Sequence, residues 1–311
     1  MTAMNVLFVG IGSIAKRHIR NLQIIANEKG FSLHIDAFRS TKRDSGIFGI
    51  DQHFFNFSEV PDKYDVIFIT NPTDLHLQTL RQFHDKGKHF FIEKPVVSLQ
   101  HIEEAKKFML RDNSVYYVAC PLRYNAVIQY MKNYINPDEV ISIRSISSSY
   151  LPDWRPGQDY RKTYSAHKNM GGGVSIDLIH EWDYLTYLVG FPQKIQSMIG
   201  KKSALEIDSD DYAIYIADYE DKIVELHLDY FGRKPIRKIE LFTDSETIIG
   251  DIASNQITFL SSEKVIDFHE ERDDYQRREL EYFITLIFGE KASENDFNHA
   301  LQVLKLTQGR L

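Results

Sequence analysis

Phe90-Phe91-Ile92-Glu93-Lys94-Pro95 is the stretch that decides how the chain is read. Two aromatics and an isoleucine make a short, fully buried strand, and the run ends on a glutamate, a lysine and a proline. In open α/β sheets, ligands gather at the carboxyl ends of the strands, so an amine placed there has a task. Proline stops the strand and stiffens the turn that holds the amine. A surface lysine that happens to follow a strand would give the same letters, and the neighbouring sequence decides between the two.

Upstream, Val6-Leu7-Phe8-Val9 is a second apolar strand, followed at once by Gly10-Ile11-Gly12-Ser13-Ile14-Ala15. This G-x-G-x-x-A pattern, set between a strand and a helix, is a dinucleotide fingerprint that assigns Gly10, Gly12, Ser13 and Ile14 to the cofactor. Gly10 makes the tight turn, Gly12 admits the pyrophosphate, and Ala15 lets helix and strand pack closely. Residues 16–26 are helical in pattern, with Ile14, His18, Leu22 and Ile25 near one face. A strand over 32–38 ends on Arg39-Ser40-Thr41-Lys42-Arg43 where an NAD-specific site would carry an acid. Hydroxyls and cations suit a 2′-phosphate, so the expectation leans to NADP over NAD. Asp36, inside the strand, is the competing ribose ligand.

A strand over 65–69 ends on Thr70-Asn71-Pro72-Thr73-Asp74, where Thr73 or Asp74 is expected to cap a helix running to Lys86. Ser98 reads as the cap of another helix to Leu110, and 115–119 as a further strand. Strand and helix alternate as a doubly wound parallel sheet requires.

At matching separations, Gly10-x-Gly12-x-x-Ala15, Asn71-Pro72-Thr73-Asp74-x-His76 and Glu93-Lys94-Pro95 resemble the Gfo/Idh/MocA family of NAD(P)-dependent sugar and cyclitol oxidoreductases. Arg123-Tyr124 extends the match. The resemblance implies that Lys94 lies beside the nicotinamide and the substrate hydroxyl, and that Glu93 helps to place the nicotinamide end. It also implies cofactor contacts from Thr70, Asn71, Pro72 and His76, and substrate contacts from Arg123 and Tyr124. The implied fold is α/β, with a Rossmann dinucleotide-binding domain over 1–122. A C-terminal α+β domain over 123–311 is built on an open, mostly antiparallel sheet whose free face a partner subunit buries.

From Val140 the pattern changes to alternating apolar and polar residues, a half-exposed strand. Further strands are expected over 195–200, 212–217, 223–230, 236–243 and 247–251, and a structural helix over 275–288. The chemistry of this half lies at Gly171-Gly172-Gly173-Val174-Ser175-Ile176-Asp177-Leu178-Ile179-His180-Glu181-Trp182-Asp183. Three glycines are expected to bring backbone close to a ligand. Asp177 and His180 share a helix face, and a histidine beside a carboxylate is an oriented acid/base. A buried histidine satisfied by core packing is the bland alternative. The family's motif carries one more residue before its histidine, so Glu181 falls there when counted from the glycines. The longer downstream match, His180-x-x-Asp183 with Leu188 and Gly190, assigns the role to His180.

The loop 149–164 holds Trp154, Arg155, Tyr160 and Arg161. Its aromatics suit a sugar face, and either arginine suits a carboxylate or phosphate. The same aromatics could simply pin a long loop.

Composition bounds the rest. A net charge of -7 argues against nucleic-acid binding, and a single cysteine excludes an internal disulfide and a cysteine-rich zinc site. No apolar run is long enough to span a membrane, and the amino terminus enters a strand without a signal peptide, so a cytoplasmic protein is expected. The expected function is hydride transfer between nicotinamide and a hydroxyl-bearing carbon of a sugar, amino-sugar, nucleotide-sugar or cyclitol derivative. Lys94, His180 and Asp177 are its catalytic residues, and no metal is needed. The alternatives are an epimerase, dehydratase or glycosidase that uses bound NAD(P) transiently, and a non-catalytic NAD(P) sensor. A homodimer or homotetramer is expected.

Overall fold

The computed structural model describes residues 3–41, 49–289 and 293–311. They divide into two compact units, Met1–Ala119 with Arg272–Leu301 and Cys120–Glu271 with Gln302–Leu311. In the first, the apolar runs form β1 (Ala3–Val9), β2 (Ser32–Phe38), β3 (Gln52–Phe54), β4 (Tyr64–Ile69), β5 (Gly87–Ile92) and β6 (Tyr116–Val118). The order is β3-β2-β1-β4-β5-β6, with every pair parallel. The strand order therefore reverses between β1 and β4, where open sheets of this kind take their ligands. Val6, Leu7 and Phe8 are fully buried, as a strand covered on both faces must be.

Helices α1 (Ser13–Lys29), α2 (His76–Phe83) and α3 (Ile102–Ala105) follow β1, β4 and β5. The last two are shorter than expected. Residues Thr73–Leu75 and Leu99–His101 form 3-10 turns, and neither Asp74 nor Ser98 caps a helix. Asp74 instead accepts hydrogen bonds from Ser98 Oγ (3.1 Å) and Gln100 Nε2 (2.6 Å), tying the two turns together.

The second unit carries α4 (Ala126–Tyr134), α5 (Val174–Asp177) and α6 (Ile179–Val189). Its strands are β7 (Val140–Tyr150), β8 (Lys194–Gly200), β9 (Tyr212–Asp218), β10 (Ile223–Asp229), β11 (Phe231–Thr243), β12 (Thr247–Asp251), β13 (Gln256–Phe259) and β14 (Lys264–Asp267). They form one sheet in the order β14-β13-β12-β11-β7-β10-β9-β8. Only β10 and β7 pair in parallel among the described residues.

Residues 272–301 belong with the first unit, which a division of the chain at 122/123 does not anticipate. α7 (Arg272–Ile287) brings Phe283 edge-on to Phe68 (6.0 Å) and Phe91 (5.2 Å), which stack with Phe8 as a row across the sheet. Tyr117 Oη donates to Glu279 at 3.2 Å. Burying one such aromatic stabilises by about 1.5–3 kcal/mol, enough to hold the helix here. α8 (Phe297–Leu306) leads back into the second unit.

Burial pushes His89 on β5 down to about 4, with the Lys88 charge adding to the effect. The unfolded chain therefore binds more protons than the folded one between pH 6.5 and about 4. The contribution is fully present above pH 6.5 and is lost as pH falls toward 4. His89 Nδ1 accepts from Val115 N, a contact that Gln preserves in kind. In urea unfolding between pH 7 and 4, the wild type should lose about 2 kcal/mol more than His89→Gln. Equal losses would show that His89 contributes nothing.

Candidate active site

Three parallel strands of the first unit end level with one another, Val9 beside Ile69 and Ile69 beside Ile92. The hydrogen bonding runs one step further, from Thr70 N to Val9 O (3.0 Å) and from Glu93 N to Ile69 O (2.9 Å). Gly10, Thr70 and Glu93 thus open three adjacent turns.

Gly10 has φ +89, and a Cβ there would lie 2.6 Å from the Asn71 backbone. This glycine lets two turns touch. Around Gly12, by contrast, nothing lies within 4 Å of an added Cβ, so space is open for a ligand to approach the backbone. Ser13 is exposed and Ile14 half-buried at the start of α1, whose first turn holds no acid and no side-chain cap. Free N–H groups and open space fit a pyrophosphate.

Thr70 and His76, expected at the cofactor, tie the turns at this edge together. Thr70 Oγ1 donates to Gly10 O at 2.7 Å, and Asn71 Nδ2 donates to Thr79 Oγ1 at 2.7 Å. His76 is buried, its ring nitrogens each 3.0 Å from a carbonyl oxygen, of Pro95 on one side and Asn71 on the other. It joins the turn that carries Lys94 to the turn after β4. Pro72 is exposed, and Lys94 is half-buried. Glu93 Oε1 stands 2.6 Å from His18 Nε2, a partner that sequence reasoning missed. A histidine among Ile14, Leu22 and Ile25 on one helix face was the available signal. Burial alone would raise Glu93, but the His18 hydrogen bond and the charges of Lys94 and His76 hold its carboxyl below the usual range.

At the end of β2, Arg39 is half-buried while Ser40 and Thr41 are exposed; Lys42 and Arg43 lie outside the described residues. Asp36 is buried and accepts from Tyr64 Oη at 2.7 Å. Its carboxylate is already engaged within the sheet.

In the second unit, the triple glycine accommodates the chain itself. A Cβ on Gly172 would lie 2.0 Å from Tyr164 O, and one on Gly173 2.2 Å from Asp210 Oδ1. Asp177 is buried and accepts from Tyr230 Oη at 2.5 Å and from Tyr164, two further partners the sequence did not suggest. Burial and the Asp177 charge push Tyr230 well up, so it remains a neutral donor. After a break at Leu178, His180 is half-buried, whereas Glu181 is fully buried and paired with Arg237 at 2.7 Å. Of the two residues competing for one motif position, His180 keeps partial exposure and Glu181 does not.

Arg123, expected at the substrate, is buried and grips Asp183 with two 2.8 Å hydrogen bonds, over the Tyr187 ring. It anchors the turn before α4 to α6. Tyr124, in the same turn, is half-buried. In the long loop, Trp154 Nε1 donates to Ser149 Oγ (2.9 Å) and its ring meets Tyr230 edge-on, while Tyr160 Oη accepts from Glu206 N (3.2 Å). Arg161 is held by Asp159 (2.8 Å) and Glu206 (3.2 Å). Arg155 is exposed and sits 5.7 Å over the Tyr164 ring, with no carboxylate within ion-pair distance among the described residues. Trp154, Arg155, Gln158 and Tyr160 line an open recess of about 220 Å³.

Residues 4–119 match the oxidoreductase family with an NAD-binding Rossmann fold, and residues 128–249 match the GFO/IDH/MocA C-terminal domain. The chain belongs to the Gfo/Idh/MocA oxidoreductase family. The uncharacterized oxidoreductase YrbE of Bacillus subtilis is 25% identical over 202 residues, 63% of this chain and 56% of that protein. Levoglucosan dehydrogenase of Pseudarthrobacter phenanthrenivorans is 27% identical over 148 residues, 46% of this chain and 38% of that protein. The matches thus span roughly half the length of these relatives or less. Among solved structures, levoglucosan dehydrogenase in complex with NADH superposes with a TM-score of 0.83 at 17% identity, covering 99% of this chain and 96% of that one. UDP-N-acetylglucosamine 3-dehydrogenase GnnA from Acidithiobacillus ferrooxidans gives 0.80 at 18% identity, with the same coverage. At such identities the likeness extends to the fold. Among the described residues, no group of three or more His, Cys, Asp or Glu is placed to hold a metal ion, and no helix is long and apolar enough to cross a membrane.

Proposed function

We propose that this family member is a dehydrogenase acting on a hydroxyl of a sugar-like substrate, with Lys94 and His180 as catalytic residues. The observation that carries the reading is a half-buried lysine held at a parallel-strand end beside an open glycine turn. When bound, the dinucleotide supplies the hydride acceptor. The Lys94 ammonium donates a hydrogen bond to the reacting oxygen and stabilises negative charge as it develops. His180 accepts the hydroxyl proton as the carbinol carbon becomes a carbonyl. Asp177, buried and held by two tyrosines, fixes the end of α5 just before the break that leads into the helix carrying His180. The expected cofactor is NADP rather than NAD, because Asp36 is engaged by Tyr64 while Arg39, Ser40 and Thr41 follow the strand.

An anionic group on the substrate is the finer reading, with Arg155 as its ligand, since Arg161 is already paired on both sides. A second copy of the chain is the expected cover for the outward face of the large sheet, where Met198, Ile214, Ile216, Ile223 and Ile236 are exposed. Strand register puts all five on one face.

With myo-inositol, levoglucosan and UDP-N-acetylglucosamine as a first panel, Lys94→Ala should lower nucleotide reduction about 100- to 1000-fold. NADPH binding by fluorescence should stay within about threefold, a change of less than 1 kcal/mol. Loss of nucleotide binding in that variant would make Lys94 a cofactor ligand instead. In calorimetry on the NADPH-loaded protein, Arg155→Gln should weaken UDP-N-acetylglucosamine about tenfold and leave N-acetylglucosamine unchanged. Arg161→Gln should affect neither; the opposite pattern would exchange their roles. By light scattering, the wild type should run as a multiple of 36.3 kDa and Ile216→Glu/Met198→Glu as a monomer. A monomeric wild type would remove the sheet face from the account.

A further inference from the structure

His18 lies on α1, the helix that follows the glycine turn, and is 1% exposed. The rings of Phe68 and Phe91 flank it at 5.9 and 5.0 Å. Its Nδ1 has no hydrogen-bond partner among the described residues, so the 2.6 Å contact between Nε2 and Glu93 Oε1 is the polar tie of the ring. The second carboxylate oxygen, Oε2, accepts from the backbone N–H of Lys94 at 3.3 Å. One carboxylate therefore joins a buried imidazole on the pyrophosphate helix to the residue that bears the strand-end amine.

A carboxylate taken out of water becomes neutral unless donors or charges compensate it. The titratable groups facing Glu93 are His18 from α1, His76 from α2 and Lys94 from its own turn. The His18 N–H is a fixed side-chain donor to Glu93, whereas His76 lies between two carbonyl oxygens. An ionised carboxylate beside an amine in turn favours the ammonium over the free amine.

We propose that His18 is a positioning residue that fixes Glu93 as an anion beside Lys94 and so keeps Lys94 an ammonium. The consequence for chemistry rests on the dehydrogenase reading. An ammonium has no lone pair, so in oxidation the hydroxyl proton goes to His180, and Lys94 serves only as donor and charge. His18 thereby biases Lys94 further toward the ammonium and the donor role.

The test reads the protonation of Lys94 directly. Lysines are labelled by reductive methylation with carbon-13 formaldehyde, and the Lys94 resonance is assigned by its absence in Lys94→Arg. It is then titrated with and without saturating NADPH. Glu93→Gln and His18→Leu should move the Lys94 titration about 1 pH unit lower. His18→Gln, which can still donate to Glu93, should restore it to the wild-type position. Unchanged titration in Glu93→Gln or in folded His18→Leu overturns the proposal. So does a His18→Gln variant as perturbed as His18→Leu, since that pattern marks a packing role. Should His18→Leu fail to fold, His18→Phe replaces it, and failure of both to fold marks a packing role and overturns the proposal. A wild type that binds no NADPH would end the dehydrogenase reading, while the titration without nucleotide would still decide the part played by His18.

Discussion

The register of a parallel sheet is the constraint on which the rest of the first unit depends. β1, β4 and β5 end side by side, so the turns that begin at Gly10, Thr70 and Glu93 emerge from one edge of the sheet. Each turn is then tied to the next. Gly10 admits the Asn71 backbone, Thr70 Oγ1 donates to Gly10 O, and His76 lies between the carbonyls of Asn71 and Pro95. A slip of one residue in any strand would turn its side chains to the opposite face and break these ties together. Lys94 owes its place at this edge to that arrangement.

Both units pair buried charged groups within the protein. Glu93 is met by His18, Asp36 by Tyr64, Asp177 by Tyr230 and Tyr164, Asp183 by Arg123, and Glu181 by Arg237. Removing one partner of such a buried charge pair typically costs about 3–5 kcal/mol, because the other is left uncompensated. These pairs mark out groups that support the fold. His180, Lys94 and Arg155 keep exposure, whereas Asp36, Arg123 and Glu181 do not.

The strands and the glycine turn were legible because their signals are local. Val6-Leu7-Phe8-Val9 followed by Gly10-x-Gly12 needs no distant partner to be read, and the alternation from Val140 marks a half-exposed sheet. β7 to β12 fall close to the expected positions, while β3, β13, β14, α4 and α8 were not anticipated. What sequence could not reveal is which partner a polar side chain finds. Arg123 and Arg161 carry the chemistry of anion ligands, yet carboxylates 60 residues away and two residues away hold them. The same holds for the three glycines after Met170, where Gly172 and Gly173 leave room for Tyr164 and Asp210. Helix length was misread where Asp74 and Ser98, cap residues by type, bond to each other instead.

On the function proposed above, the edge of the six-stranded sheet takes a nicotinamide dinucleotide, with Arg39, Ser40 and Thr41 at the adenosine ribose. Fluorescence titration of the dialysed protein with NADPH and NADH, side by side, tests it most directly. The account predicts that both bind and that NADPH binds about tenfold tighter, a difference near 1.4 kcal/mol. Tighter binding of NADH would contradict the part assigned to Arg39, Ser40 and Thr41. Binding of neither nucleotide would contradict the account as a whole.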